Sequence, residues 1–164
     1  MDKYVSYLSL PMTRLAIEAN DEAITGVGFI SDVYGDDSQS SELTRHAADQ
    51  LREYFAGSRK AFDIPLAPHG TPFQQSVWDV MLSIPYGGTM SYGQIAAAIG
   101  KPLAVRAVGM ASGRNPIAII IPCHRVVGAD GKLVGYGGGI DVKRALLDLE
   151  RDHSNTIRPN LSGM

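Results

Sequence analysis

Cysteine is almost missing from this chain: Cys123 is the single one among 164 residues. A lone cysteine excludes an internal disulfide and fits a reducing compartment. It also excludes a cysteine-rich zinc site, because only four histidines stand beside it. Long apolar runs are absent, and no stretch approaches the roughly 18 residues needed to span a bilayer. The opening Met1-Asp2-Lys3-Tyr4 lacks the basic-then-apolar layout of a signal peptide, so a cytoplasmic, membrane-free protein is expected. No basic run or low-complexity tract occurs. What remains is ordinary for a soluble globular protein, with 45% hydrophobic and 20% charged residues. A chain of 17.6 kDa holds one domain or two small ones and buries a core without covalent staples.

The charge is unevenly placed. Residues 1–68 carry 6 Lys and Arg against 11 Asp and Glu, whereas residues 69–150 carry 7 against 5. A mildly basic half joined to an acidic half permits a polyanion to bind one face only. Leu8 to Ile17 and Ile24 to Ile30 read as strands, with Asn20-Asp21-Glu22 as the turn between them. Asp32 to Ser41 reads as a loop and Ser41 to Ala56 as a helix stopped by Gly57. Phe62 to Leu66 is a short extended piece. Ala67-Pro68-His69-Gly70 is the linker candidate, and it divides the chain into domains of residues 1–68 and 69–164.

Thr71-Pro72-Phe73-Gln74 combines an N-cap, a proline at the first helical position and a glutamine placed for a capping box. A helix follows to about Ser83, with Trp78 as a core residue. A second begins at Ser91 and ends near Gly100, and a third runs from Leu103 to Ser112. Two short helices around Gly100-Lys101-Pro102 match a helix-turn-helix, a spacing also found in hairpins that bind nothing. In the third helix Ala104, Ala107, Gly109, Ala111 and Gly113 are small, and Arg106 is the one charge between Lys101 and Arg114. That is either tight packing with a solvated arginine or a face for close approach to a groove. With Tyr92 as a second anchor, the groove is the better reading.

The apolar run Ile117-Ala118-Ile119-Ile120-Ile121 reads as a buried strand that Pro122 must end. Cys123 and His124 then emerge where the strand opens into a loop. The pair is a small buried hydrophobe beside an incidental histidine, or a nucleophile beside its base. Gly135-Tyr136-Gly137-Gly138-Gly139 is a turn able to bring backbone near a ligand. Asp141 caps a last helix, and Glu150 sits at its C-terminal end, where the helix dipole disfavours a carboxylate. A breach of that kind marks either a solvated end or a partner such as His124.

These segments, in this order, resemble the O6-alkylguanine-DNA alkyltransferases. The matching text is Thr71-Pro72-Phe73-Gln74-Gln75-Ser76-Val77-Trp78, Ile84-Pro85-Tyr86-Gly87, Ser91-Tyr92-Gly93-Gln94-Ile95-Ala96 and Arg106-Ala107-Val108-Gly109. It continues through Asn115-Pro116, Pro122-Cys123-His124-Arg125-Val126 and Gly135-Tyr136, with Gly138-Gly139 behind. The match is gapless from about 71 to 150 and looser over 9–68. The resemblance implies an α/β (α+β) protein: a small ribonuclease-H-like N-terminal domain, then a mostly helical C-terminal domain with a winged-helix-like helix-turn-helix.

The resemblance also implies roles. Cys123 accepts the alkyl group, activated through water by His124 and Glu150, while Asn115 is the hinge tying the helix-turn-helix to the active-site strand. Arg106 fills the stack vacated by a flipped guanine and Tyr92 pushes on the neighbouring phosphate. Ala104, Ala107, Gly109, Ser112 and Arg125 join them at double-stranded DNA, in the minor groove. Tyr92, Val126, Tyr136 and Gly137 line the guanine pocket. O6-alkylguanine is the implied substrate, with O4-alkylthymine beside it. The alkyl-cysteine product is a thioether, so the protein acts once, as a monomer without cofactor or metal, with copies able to cluster on DNA. Gly137 is smaller than the Ser or Ala of many relatives, which predicts tolerance of alkyl groups larger than methyl. A lesion sensor without chemistry, a helix-turn-helix regulator and a Cys-His hydrolase are the competing readings, separable by stoichiometry.

Overall fold

The computed structural model describes residues 2–31 and 37–155. Three antiparallel strands, β1 (Tyr4–Ser9), β2 (Arg14–Ala19) and β3 (Ile24–Phe29), form a sheet in the order β1-β2-β3. The span Leu8 to Ile17, expected as one strand, is two. Pro11 lies in the turn between them and has no N–H for a ladder. The Leu10 N–H closes that turn on the Thr13 carbonyl at 2.8 Å. The second turn behaves as expected, since the Asn20 side chain accepts from the Glu22 and Ala23 amides at 2.8 and 2.9 Å. Of the expected 32–41 loop, residues 32–36 lie outside the described residues, and Asp37–Gln39 form a 3-10 turn.

Helix α1 (Glu42–Phe55) packs on the sheet through Ala47, Leu51 and Tyr54. Ser41 caps it in a reciprocal box with Thr44, and Gly57 follows with a φ of 83°. Helix α2 (Pro72–Leu82) starts on the Thr71–Gln74 box. The two-residue strand β4 (Met90–Ser91) leads into α3 (Tyr92–Ala98), which starts on a Ser91–Gln94 box. Helix α4 (Val105–Gly113) starts two residues later than expected. Lys101 to Ala104 close a turn first, with the Ala104 N–H on the Lys101 carbonyl at 2.9 Å. Strand β5 (Val126–Val127) pairs parallel with β4. Helix α5 (Ile140–Asn155) runs past Glu150, so that residue lies inside the helix rather than at its end.

The apolar run 117–121 is not a strand. It folds on itself through overlapping turns: Ile120 N–H to Ala118 O at 2.8 Å and Ile121 N–H to Ile117 O at 3.0 Å. Ile119 carries a φ of 72°, a region a β-branched side chain adopts only under strain. The surroundings impose it. Asn115 donates to the Ile121 carbonyl at 2.8 Å and accepts from the Ile117 amide at 3.0 Å, clamping both ends. Burial of all five residues supplies the compensation. The run also docks on the free edge of β3, where the Val27 N–H reaches Pro116 O and the Ala118 N–H reaches Val27 O, each at 2.9 Å. One hydrophobic core therefore spans the sheet, α1, α2 and the segment in front of Cys123.

Candidate active site

The clamped turns deliver the chain to Pro122, and Cys123–Arg125 form a single 3-10 turn. Cys123 is half-buried and lines a cavity of about 450 Å³. Tyr92, Gly109, Ser112, Asn115, Tyr136 and Gly137 line the same cavity, so it joins α3, α4 and the glycine-rich loop. Burial pushes the Cys123 thiol up from its ordinary pKa, while the Asn115 amide and the Lys143 ammonium pull it part of the way back. At neutral pH this sulfur is a thiol and needs a base.

The base stands next to it in the chain. His124 is fully buried, and its Nε2 lies 2.6 Å from Glu150 Oε2. Burial alone would raise the Glu150 pKa. The hydrogen bonds and charges of His124 and Arg125 outweigh it and hold the carboxyl at about 2. An ionised carboxylate only accepts, so the partners assign the imidazole proton to Nε2. Nδ1 is left with a bare lone pair, and it has no partner among the described residues. Burial lowers the His124 pKa, which keeps the ring neutral. A neutral imidazole with a fixed tautomer and one free lone pair is a general base.

Glu150 is held by more than His124. The Arg125 guanidinium grips it with two bonds, Nε to Oε1 at 2.8 Å and Nη2 to Oε2 at 2.9 Å. The Tyr54 hydroxyl donates to Oε2 at 2.6 Å, and the Gly87 amide donates to Oε1 at 3.1 Å. Arg125 also donates Nη1 to the Ile84 carbonyl at 2.7 Å. This corrects the placing of Arg125 at DNA. It is buried, and its fork is fully engaged inside the protein. Val126 is corrected as well, because it is fully buried and is not among the residues lining the cavity.

Arg106 and Ala107 are exposed on α4, with Ala104 and Gly109 partly so. The face is less uniformly small than its sequence implied: Ala111 is buried, while Leu103 and Met110 are 99% and 63% exposed. Tyr54, Lys143, Gly87 and Phe29 escaped the sequence reading. Lys143 is almost wholly buried, with Nζ donating to the Val134 carbonyl at 2.9 Å, and Phe29 brings β3 into the cavity wall. Only Lys143 left a trace, as a lysine beside the apolar Val142 and Leu146 positions of α5.

The fold and this site define an α/β protein with a helix-turn-helix packed beside a cysteine that has a buried histidine–carboxylate base. Comparison with known proteins is specific. Residues 3–68 match the ribonuclease-like domain of 6-O-methylguanine DNA methyltransferase, and residues 72–152 match the DNA binding domain of the same. A methylated-DNA–protein-cysteine methyltransferase of Methanosarcina barkeri is 45% identical over 155 residues, 92% of this chain and 98% of that one. Its counterpart in Mycobacterium tuberculosis is 63% identical over 108 residues, 66% of each chain. The crystal structure of Mycobacterium tuberculosis OGT in complex with DNA superposes with a TM-score of 0.84 at 47% identity, covering 92% of this chain and 94% of that one. The chain belongs to the 6-O-methylguanine DNA methyltransferase family.

Proposed function

We propose that this protein repairs alkylated DNA by direct reversal, moving an alkyl group from guanine O6 to Cys123. The observation that carries it is the free Nδ1 of a neutral, buried His124, locked by Glu150 beside a cavity-lining thiol. Through one water, Nδ1 takes the thiol proton. The sulfur attacks the sp³ carbon in line, the S–C bond forms, and the C–O bond breaks with its electron pair going to guanine. Guanine then takes up a proton. Glu150, held at about 2, stays ionised and steadies the imidazolium rather than receiving the proton itself. Asn115 fixes the turn that aims the sulfur, which makes it a positioning residue. The thioether is neutral and no group in the cavity is placed to hydrolyse it, so each chain reacts once, without a cofactor.

The substrate reaches the cavity by leaving the DNA stack. Arg106, exposed on α4, takes the vacated place, and Tyr92 presses on the flanking phosphate. Ala104, Ala107 and Gly109 let α4 approach duplex DNA from the minor groove, whereas Ser112, expected there, is buried and faces the Cys123 cavity instead. That groove is only about 6 Å wide before it is opened. Tyr136 and the Gly137 amide hold the base. Residues 1–68 and 69–164 serve as two domains, a division supported by two family matches that meet at 68 and 72. The protein works as a monomer, and a reducing cytoplasm suits its free thiol. Among the described residues no helix is long and apolar enough to cross a membrane.

Intact mass after incubation with an O6-methylguanine duplex tests the reading. We expect a gain of one methylene, at most once per chain and absent in Cys123→Ser. Repair exceeding protein without a mass gain would make it a turnover enzyme, and tight binding with neither would make it a sensor.

A further inference from the structure

One wall of the Cys123 cavity comes from the opposite half of the chain. Strand β3 contributes Val27, Gly28 and Phe29 to the lining. It is fixed in place by the backbone bonds of Val27 to Pro116 and Ala118, in the segment that leads into the Cys123 turn. The Phe29 ring meets Tyr136 edge-on, with centroids 5.4 Å apart and planes at 67°. The glycine-rich loop rests on the same ring. A Cβ built at Gly138 would come within 2.8 to 2.9 Å of three of its atoms, Cε1, Cδ1 and Cζ, and one at Gly137 would meet Cδ2 at 4.0 Å. The near-equal distances show the Gly138 backbone lying over the ring, where no larger residue fits without displacement.

We infer that Phe29 sets the size of the alkyl group this protein accepts. The inference rests on the alkyl-transfer reading above. The reacting carbon must come within roughly 3–3.5 Å of the sulfur, so the remainder of the group extends into whatever space lies beyond. On one side of that space stand Phe29 and the Tyr136 ring it supports. The glycine-rich loop has backbone freedom, with Gly135 and Gly139 at φ of 30° and 97°. Phe29 has none comparable, because it is carried on β3 and paired with Leu15 of β2. The loop therefore takes its position from the ring, and the ring limits the depth. Phe29 is a specificity-determining residue supplied by the N-terminal half.

The test compares rates of transfer to Cys123 from two otherwise identical duplexes, one with O6-methylguanine and one with O6-benzylguanine. Native protein, Phe29→Leu, Phe29→Ala and Phe29→Trp are measured, with thermal melting of each. The readout is the benzyl-to-methyl rate ratio, which a general loss of folding or of base strength does not move. Relative to native, Phe29→Ala and Phe29→Leu should raise the ratio, by about tenfold or more for Ala, and Phe29→Trp should lower it. Should Phe29→Ala fail to fold, Leu and Trp decide. An unchanged ratio in folded Leu and Trp variants overturns the inference while leaving alkyl transfer intact. Absence of any mass gain on Cys123 in the native protein overturns the alkyl-transfer reading, and this inference with it.

Discussion

Replacing Glu150 by glutamine should cost far more than the loss of one proton acceptor suggests. Five donors converge on this carboxylate: His124 Nε2, Tyr54 Oη, Gly87 N, and Arg125 Nε and Nη2. An amide keeps one oxygen and turns an NH2 toward donors on its other side. The Arg125 charge, nearly buried, then has no counter-ion among the described residues. Removing one partner of a buried pair typically costs about 3–5 kcal/mol. With a urea dependence near 2 kcal/mol per molar, the unfolding midpoint should fall by about 2 M. Trp78, the only tryptophan and 1% exposed, reports the transition by fluorescence. Adding Arg125→Met to Glu150→Gln removes the stranded charge and should restore about half of the loss. Alkyl transfer should stay at least about a hundredfold slow in both variants, because nothing steadies the imidazolium. A loss below about 1 kcal/mol in Glu150→Gln, or simple additivity in the double variant, would show that Glu150 does not hold the Arg125 charge in this way.

Four further outcomes are expected. Stability should fall with pH in two stages. His124 has a lowered native pKa, so the unfolded chain binds its proton first and stability declines below about pH 6.5. Glu150, held at about 2 against 4.5 in its ordinary state, extends the decline from there down to about pH 2. Urea midpoints that stay level from pH 8 to pH 5 would contradict the His124 part. Lys143→Met should raise the Cys123 pKa and slow alkylation of the thiol by iodoacetamide at neutral pH, read from the pH-rate profile. Gly57→Ala should cost at least about 1–2 kcal/mol in urea unfolding, since φ is 83° and the new methyl would overlap the His153 ring. Arg106→Ala should slow repair of a duplex but not reaction with free O6-benzylguanine, and equal slowing of both would remove Arg106 from the DNA face.

What sequence revealed here follows from range. The Thr71–Gln74 box and the helix start at Ser91 were legible because each signal closes within four residues. Cys123, His124 and the cavity residues Tyr92, Tyr136 and Gly137 were legible through short motifs. The run 117–121 misled because β-branched composition says buried, while its shape is set by Asn115 and the edge of β3. Arg125 misled because its partners are remote: Ile84 lies 41 residues away and Glu150 lies 25 away. Tyr54 gave no signal at all, since a tyrosine on the buried face of α1 reads as packing. Its bond to Glu150 crosses 96 residues.

That bond gives the linker at 67–70 a character its composition conceals. Its Pro and Gly read as a joint, yet the chain on either side is tied twice, once through Tyr54 to Glu150 and once through β3 to Pro116 and Ala118. Swinging the halves apart would break a strand edge and expose a charged cluster in the same movement. The two halves should therefore unfold as one cooperative unit, and a C-terminal fragment cut at the linker would carry every motif of the site without a finished one.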